Sequence, residues 1–516
     1  MKTFASAISA LLLLASCSGG TYTNPVLCSD YSDPDVCADG SDYYLTASSF
    51  ADTPGLPVLH SRDLVNWEIV SYALPRLDPA AWAGGEPTDE FDSVQHGNGV
   101  WAPSIRLHDG LFRIYWGDPD YGIFVTTAER PEGPWSTPQC VVAGKGLIDP
   151  CPLWDDDGRC YLVHGWAKSR AGFNNILTVR ELNPEGTKAI GDSVTVFRGG
   201  EENRTTEGPK FYKRDGWYWI WCPSGGVKEG WQLAMRSRSP YGPYEWQRVM
   251  DQGGTDIHGP HQGGWVHTPQ GEDWFLHFED RYAYGRVVHL QPVEWTPEGW
   301  PVIGSDPDGD GCGEPVLRHR MPKSALWRRV HPATSDGFNG GYGLQWQWAA
   351  NPKPEFAEAR GGFLRLNGIP SENLWDSPNL LLQKLPAMSF TATAKVLPEA
   401  TGSGYSGLVM MGTDFQALAL TRSGDACSIG LLTCLRADKG GVQVFEPMGE
   451  IPAGKPVWLR LSAADSRCSF SWSTDGKQFT PAGAEPFEMK AGRWTGAKMG
   501  LFCTSGHLDA DSFTVE

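Results

Sequence analysis

The chain has 516 residues, and its 43 Lys and Arg against 61 Asp and Glu give a formal net charge of −18 at pH 7. An acidic surface argues against nucleic acid and anionic membranes as partners and suits a neutral substrate such as a sugar. The length exceeds what one hydrophobic core usually holds, so two domains are expected.

The first residues have the pattern of a targeting segment. Lys2 gives a basic start, residues 5–15 form an apolar run too short to span a bilayer, and Leu14-Ala15-Ser16 precedes Cys17. We expect residues 1–20 to be a lipoprotein signal peptide and anchor, with Cys17 lipidated. The protein would then be an extracytoplasmic bacterial lipoprotein of the outer membrane or periplasm, touching a membrane only through its lipid. A plain secretory signal is the alternative.

Five segments along the chain place a polar or aromatic residue beside Pro or Gly, ahead of a hairpin turn and an aromatic-rich strand. They recur at intervals of about 48 to 70 residues, a period typical of propeller blades. The sequence therefore predicts an all-β protein in which residues 21–320 form a five-bladed β-propeller. The segments are Asp33-Pro34, Trp101-Ala102-Pro103, Asp149-Pro150, Glu207-Gly208-Pro209 and Gly259-Pro260-His261.

The common phase of these segments predicts one shared site. The first strand of each propeller blade lines the central channel, so equivalent positions converge in space. Asp33, Asp149 and Glu207 would meet there, and neighbouring carboxylates raise one another's pKa, as acid–base catalysis requires. A single such residue is more often an ordinary turn former. Asp35 would share a strand face with Asp33 and is an alternative candidate base.

The second half of the chain has a different pattern. From residue 336 onward, short alternating strands are separated by Gly, Pro and Asp turns, which is typical of an antiparallel sandwich. We expect residues 321–516 to form a β-sandwich accessory domain of the jelly-roll, concanavalin-like type. It carries no carboxyl cluster of its own. No Cys or His group has zinc-ligand spacing, so no metal site is predicted.

The motifs of both halves resemble glycoside hydrolase family 43, in the β-xylosidase and α-L-arabinofuranosidase branch that has a C-terminal β-sandwich. The resemblance covers nearly all of the sequence after the targeting segment. The segments that carry it are Ser32-Asp33-Pro34-Asp35, Val100-Trp101-Ala102-Pro103-Ser104, Leu147-Ile148-Asp149-Pro150, Thr206-Glu207-Gly208-Pro209, Gly259-Pro260-His261-Gln262-Gly263-Gly264, Tyr284-Gly285-Arg286, Gly343-Leu344-Gln345-Trp346-Gln347-Trp348 and Leu381-Leu382-Gln383-Lys384.

The resemblance implies an inverting mechanism and a role for each motif residue. Asp33 would be the general base, Asp149 the modulator of the acid's pKa, and Glu207 the general acid. Three further residues would bind substrate. The resemblance implies no required cofactor and allows a structural Ca²⁺ ion on the propeller axis. The substrate-binding residues would be Trp101, Arg286 and His261.

The function expected from the resemblance is an exo-glycosidase. It would remove terminal α-L-arabinofuranosyl or β-D-xylosyl residues from arabinose- or xylose-containing plant hemicellulose and pectin glycans. Two alternatives remain at this stage: an endo-arabinanase on the same scaffold, and a non-catalytic glycan-binding lipoprotein. A binding protein has no need for three mutually repelling acids, which favours the enzyme.

Overall fold

A computed structural model describes residues 20–323, 328–398, 404–423, 426–452 and 454–516. The predicted signal peptide and Cys17 lie outside these residues. Among the described residues, no helix combines the length and apolar character needed to cross a membrane.

Within the described ranges, the first domain contains five four-stranded antiparallel sheets, each made of consecutive strands. This confirms the predicted five-bladed propeller. A short strand, β1 (Thr21–Thr23), precedes the blades. Blades 1 to 3 consist of β2 (Asp35–Asp39), β3 (Asp42–Thr46), β4 (Gly55–Ser61) and β5 (Glu68–Leu74); β6 (Trp101–His108), β7 (Leu111–Asp118), β8 (Gly122–Ala128) and β9 (Gln139–Ala143); and β10 (Leu147–Trp154), β11 (Cys160–Trp166), β12 (Ile176–Leu182) and β13 (Val194–Arg198).

Two further blades complete the propeller, and its last strand ends at Ile303. A two-stranded ribbon then pairs β1 with a strand from the connection to the second domain. Blades 4 and 5 consist of β14 (Lys210–Arg214), β15 (Trp217–Ser224), β16 (Trp231–Ser237) and β17 (Glu245–Met250); and β18 (His261–His267), β19 (Asp273–Asp280), β20 (Arg286–Trp295) and β21 (Pro301–Ile303). The ribbon partner of β1 is β22 (Arg318–Arg320).

Buried apolar side chains fill the space between every pair of neighbouring blades. In the part of the chain that the structure describes, five separate hydrophobic clusters occupy these spaces. The ring is closed between blades 1 and 5 by the N-terminal segment. Leu27 bridges Val288, and the Asn24 side chain donates to the Leu290 carbonyl at 2.9 Å and accepts from its amide at 2.8 Å.

In every blade, one residue within or just before the start of the innermost strand has a left-handed backbone. In blades 2, 3 and 5 the register of the first hairpin shifts at that point, as in a β-bulge, which re-aims side chains at sheet rims. The sequence predicts one shared phase for the five site residues. Instead Trp101, Glu207 and His261 each stand one residue before the equivalent of Asp33 and Asp149. The left-handed residues are Asp33 (φ 56°), Ala102 (36°), Asp149 (56°), Gly208 (55°) and Gln262 (32°).

The second domain is a β-sandwich of two seven-stranded sheets in the described residues, as predicted. The main apolar core lies between them. The strands are β23 (Gln347–Trp348), β24 (Ala357–Arg360), β25 (Phe363–Asn367), β26 (Leu381–Lys384), β27 (Ser389–Pro398), β28 (Ser406–Met411), β29 (Phe415–Ser423), β30 (Ala426–Cys434), β31 (Val444–Pro452), β32 (Val457–Ala464), β33 (Arg467–Ser473), β34 (Thr480–Glu488), β35 (Lys498–Cys503) and β36 (His507–Val515). One sheet has the order β23-β26-β35-β28-β29-β30-β31, and the other β24-β25-β36-β27-β32-β33-β34.

Helical structure in the described residues is confined to short turns. Each has three or four residues and lies in a connection. The two α-helical turns are α1 (Pro79–Trp82) and α2 (Lys168–Ala171), and the 3₁₀ turns are Glu90–Asp92, Tyr282–Tyr284, Leu374–Asp376 and Ala437–Lys439.

Candidate active site

A pocket of about 530 Å³ opens where the innermost strands of the propeller converge. It brings together five of the six predicted site residues, and the sixth, His261, lies behind Glu207. One lining residue, Trp494, comes from the second domain. The lining is Asp33, Phe50, Trp101, Ala102, Ile148, Asp149, Glu207, Val227, Gln262, Arg286 and Trp494.

Asp33 lies in the turn that leads into β2 and is surrounded by hydrogen-bond donors. Its Oδ2 accepts from Ser32 Oγ at 2.9 Å and from Ser48 Oγ at 2.6 Å. The guanidinium of Arg286 reaches its Oδ1 at 3.5 Å. Ser48 Oγ also accepts the amide of Ala102 at 2.8 Å, which ties the aspartate to the neighbouring blade. The carboxylate is therefore held in one orientation by groups from blades 1 and 5, and blade 2 fixes Ser48.

Asp149 lies within β10 and is almost fully buried. Its Oδ2 accepts the amide of Gly208 at 2.8 Å. Burial, and secondly the negative charge of Glu207, raise its pKa to about 8. A carboxyl pair with one raised pKa retains a proton at neutral pH, which is the state a general acid needs.

Glu207 precedes β14 and is the most accessible of the three carboxyl groups. Its side chain is 29% exposed, against 8% for that of Asp33. Its Oε1 lies 3.0 Å from Nε2 of the buried His261, while Nδ1 of that histidine has no hydrogen-bond partner in the structure. The histidine was expected to bind substrate. Its contact instead fixes Oε1 of Glu207, whose side chain lines the pocket that His261 itself does not reach.

Arg286 begins β20 and points toward Asp33. Its Nη1 donates to Ser32 Oγ at 2.6 Å, and its guanidinium lies over the Phe278 ring, 4.9 Å from the ring centre. The His261 ring meets the same phenylalanine edge-on, with ring centres 5.5 Å apart. Phe278 thus supports both the cation beside Asp33 and the histidine beside Glu207.

Three aromatic side chains form one wall of the pocket. Trp101 donates from Nε1 to the Gly97 carbonyl at 2.9 Å and meets Phe50 and Trp494 edge-on, with ring centres 6.4 and 6.0 Å apart. Trp494 is 54% exposed and has φ 65°, a backbone conformation that a bulky residue rarely adopts and that often marks a functional site. Sequence reasoning missed Trp494 because nothing in its local pattern links the sandwich to the propeller channel.

Asp35, the alternative candidate base, does not line the pocket. It is fully buried and its Oδ2 accepts from Arg106 Nη1 at 2.6 Å and from the Ile105 amide at 2.9 Å. The ammonium group of Lys210 lies 4.0 Å away. Two cations around one buried carboxylate describe a structural ion pair.

The donors near the propeller axis do not fit a calcium ion. Ca²⁺ takes six to eight oxygen ligands, whereas the one unpartnered atom of the His261 ring is a nitrogen, Nδ1, and its Nε2 contacts Glu207. The axial carboxylate of Asp35 already faces the cationic groups of Arg106 and Lys210, which would repel a metal ion. Within the described ranges, the acidic cluster with metal-binding spacing is the exposed Asp306, Asp308 and Asp310, none of which lines the pocket.

Comparisons with known proteins match both domains. The family model described as "Glycosyl hydrolases family 43" matches residues 22–301. The model described as "Beta xylosidase C-terminal Concanavalin A-like domain" matches residues 335–515.

Relatives align along most of the chain. A putative beta-xylosidase of Xylanibacter ruminicola is 37% identical over 94% of this chain and 86% of its own length. A non-reducing end alpha-L-arabinofuranosidase of Bacteroides ovatus is 30% identical, over 87% of this chain and 84% of its own. The solved structure of a xylan beta-1,4-xylosidase from Bacillus halodurans superposes with a TM-score of 0.83 at 25% identity, covering 96% of this chain and 99% of that one.

Proposed function

Because the chain belongs to glycoside hydrolase family 43, we propose that this pocket hydrolyses terminal β-D-xylosyl or α-L-arabinofuranosyl residues of plant hemicellulose and pectin glycans with inversion. The observation that carries the proposal is the set of three carboxyl groups in one pocket, each in a different environment. Asp33 lies among donors, Asp149 is buried with a raised pKa, and Glu207 is the most accessible.

Glu207 is the general acid. The proton retained by the Asp149–Glu207 pair is delivered to the glycosidic oxygen as the bond to the leaving group breaks. Asp149, whose pKa is raised to about 8 by burial and secondly by the charge of Glu207, keeps a proton on the pair at neutral pH, and it accepts the Gly208 amide next to the acid. His261 fixes Glu207 Oε1. Delivery of a proton by a positioned acid contributes about 10²–10⁴-fold to the rate.

Asp33 is the general base. It activates a water molecule that attacks the anomeric carbon from the face opposite the leaving group, and its proton is taken up by the carboxylate. Inversion needs room for this water, which implies about 6.5–9.5 Å between the two carboxyl groups. Arg286 binds sugar hydroxyls, and the Trp101 ring packs against the sugar.

The exo mode of action rests on the wall formed by Trp494. This residue comes from a sandwich loop and meets Trp101 at the pocket. An aromatic wall there would close one end of the site, so that a chain end fits better than a chain interior. An endo-arabinanase needs a cleft that is open at both ends. The closed wall therefore favours release of single terminal sugars.

The test is a substrate panel. Wild-type protein and Glu207→Ala are incubated with an aryl β-xyloside, an aryl α-L-arabinofuranoside and arabinoxylan, and the released sugars are identified. Release of a single pentose by the wild type alone supports the proposal. Release of oligosaccharides from arabinan indicates an endo-arabinanase. Retention of glycan without release by either protein indicates a binding protein.

The proposed reaction uses no metal ion, because protonation and water activation are both assigned to carboxyl groups. The donor set near the axis points the same way, since it combines a histidine already bound to Glu207 with a carboxylate facing two cations. Dialysis against EDTA is expected to leave kcat within about twofold of its original value. A loss that added Ca²⁺ restores would contradict this.

We further propose that the protein is anchored outside the cytoplasm through a lipid on Cys17. The proposal rests on Leu14-Ala15-Ser16-Cys17 at the end of an apolar run. Expression in a bacterial host with labelled palmitate should label the wild type and leave Cys17→Ala unlabelled. Equal release of both proteins into the soluble extracytoplasmic fraction would indicate a plain secretory signal.

A further inference from the structure

The turn that leads into Arg286 is built into the second domain. Ala283 and Tyr284 belong to the propeller chain, yet both are buried within the main hydrophobic core of the sandwich. Tyr284 Oη donates to the Met388 carbonyl at 2.7 Å and accepts from the Ser466 amide at 3.0 Å. The Ala497 amide donates to the Ala283 carbonyl at 2.7 Å. The sandwich thus holds Ala283 and Tyr284, which directly precede Gly285 and Arg286, by hydrogen bonds and apolar packing.

Asp30 links this turn to the sandwich with a single carboxylate. Its Oδ1 accepts the backbone amide of Arg286 at 2.8 Å, and its Oδ2 accepts the backbone amide of Gly496 at 2.8 Å. Asp30 is 3% exposed. A buried carboxylate that loses a donor is strongly destabilised, so each of its two contacts supports the other.

Gly285 packs against the Asp30 side chain and Gly496 packs against the Gly285 backbone, with no room for a side chain at either glycine. Gly285 has φ 77°, and a Cβ atom there would lie 2.4 Å from Asp30 Cγ. A Cβ atom on Gly496 would lie 2.6 Å from the Gly285 nitrogen. The sandwich loop therefore rests directly on the peptide that precedes Arg286, and a shift of the loop has to move that peptide.

The three residues that follow Asp30 also contact Arg286, and the last of them is Asp33, the proposed general base. The Tyr31 amide donates to the Arg286 carbonyl at 3.1 Å. Ser32 Oγ accepts from Nη1 of Arg286 at 2.6 Å. The next residue is Asp33, whose Oδ1 lies 3.5 Å from the same Nη1. The segment from Asp30 to Asp33 thus holds the amide, the carbonyl and the guanidinium of Arg286.

We propose that Asp30 is a positioning residue through which the sandwich domain sets the placement of Arg286 in the sugar pocket. Asp30 does not line the pocket and acts through Arg286. The inference rests on the proposed function and on the sugar-binding role of Arg286 in it. The sandwich would then take part in catalysis apart from any glycan binding of its own. It would do so in two ways: Trp494 lines the pocket directly, and the contact with Asp30 positions Arg286 from outside the lining.

The decisive experiment is a double-mutant cycle on the full chain, with Asp30→Asn, Arg286→Ala and the double variant. The amide side chain keeps the size of Asp30 but replaces one acceptor with a donor, so one backbone amide loses its partner. We expect Asp30→Asn to raise KM for the aryl xyloside or arabinofuranoside about tenfold, with kcat within about threefold. In the Arg286→Ala background, the same change should add less than about twofold.

Asp52→Asn is the matched control. Asp52 also joins the propeller to the sandwich, through an ion pair with Lys498, but does not line the catalytic pocket. It should lower the melting temperature and leave KM unchanged. A purely structural role for Asp30 would make both variants behave alike. An unchanged KM in Asp30→Asn, or KM effects that multiply fully with those of Arg286→Ala, would overturn the proposal.

Two further arms keep the test decisive. If Asp30→Asn does not fold, Gly496→Ala carries the same prediction, because its methyl group pushes the loop away from Gly285. If the wild type turns over neither substrate, the proposed function is refuted, but the positioning role of Asp30 can still be tested by binding. The same cycle is then read by calorimetric titration with xylobiose: a loss of affinity in Asp30→Asn that disappears in the Arg286→Ala background supports the positioning role, and its absence refutes it.

Discussion

His261 Nε2 lies 3.0 Å from Glu207 Oε1, which makes a buried histidine the immediate partner of the most accessible carboxyl group in the pocket. The ring is fixed in turn against Phe278. With the proton on Nε2, the histidine donates to Oε1 and leaves Oε2 free for the substrate. The pair explains why the axial histidine motif accompanies the carboxyl motifs in this chain.

Replacing His261 should disturb the acid without abolishing sugar binding. In His261→Ala, Glu207 loses its orienting contact, so we expect kcat to fall about 10- to 100-fold while KM changes less than about threefold. Steady-state kinetics on an aryl xyloside and on xylobiose measure this, and the loss should be larger for xylobiose, whose leaving group needs a proton. An equal loss of kcat on both substrates would argue against a role through the acid.

Asp149→Asn should change the pH dependence of the reaction. The pKa of Asp149 is raised to about 8 by burial and by Glu207, and the proton of the pair is shared. The amide of Asp149→Asn cannot hold the proton of the pair, so the alkaline limb of the kcat/KM profile should move to lower pH and kcat should fall about 10²-fold. A variant with the wild-type rate and profile would refute the modulator role.

The same substitution should make the fold more stable relative to the wild type as pH rises. The folded Asp149 carboxyl keeps its proton up to about pH 8, whereas the unfolded carboxyl releases it near pH 4. Between these values the folded state binds more protons, so this group makes stability fall as pH rises from 4 to 8 and adds no further change above that. Asp149→Asn removes the titration.

Thermal melting at pH 5 and pH 8 measures this effect. The melting temperature of Asp149→Asn relative to the wild type should rise from pH 5 to pH 8. The rise should be roughly 2–4 °C for each kcal/mol by which the wild type's free energy of unfolding falls over the same range. The exposed Asp192 provides the control Asp192→Asn, for which the difference should stay the same at both values. A difference for Asp149→Asn that shrinks toward pH 8 would contradict the assigned burial of a protonated carboxyl.

Trp494→Ala tests the wall that the sandwich contributes. The indole is half exposed, so its removal should leave the melting temperature nearly unchanged. It meets Trp101 at the pocket, so KM should rise about tenfold, equivalent to about 1.4 kcal/mol of lost contact. Phe173→Ala, at an exposed aromatic residue outside the pocket lining, is the control and should leave KM unchanged. Equal KM values for Trp494→Ala and the wild type would remove Trp494 from the site.

The repeat in the sequence was enough to predict the propeller and most of the pocket. Asp33, Asp149 and Glu207 stand beside Pro or Gly at blade intervals, and propeller geometry brings such positions together. The one-residue offset of Glu207 and Trp101 from Asp33 was missed, because it depends on left-handed bulge residues that the sequence does not mark.

The contribution of the sandwich could not be predicted from the sequence. Trp494 and Gly496 lie more than 200 residues from Arg286, in a loop with no pattern of its own. Only the docking of the two domains places Trp494 at the pocket and Gly496 against Asp30. Asp30 is likewise an ordinary turn residue by sequence. Its role follows from two backbone amides from different domains that meet at one carboxylate.

The stereochemistry of hydrolysis tests the central claim most directly. Proton NMR can follow the wild-type reaction on an aryl β-xyloside and identify the anomer that forms before mutarotation. With Glu207 as acid and Asp33 as base across a water molecule, the α anomer of xylose should appear first, or the β anomer of arabinose from an α-L-arabinofuranoside. Appearance of the anomer that retains the substrate's configuration would contradict the account, because Asp33 would then be a nucleophile about 5–5.5 Å from the acid.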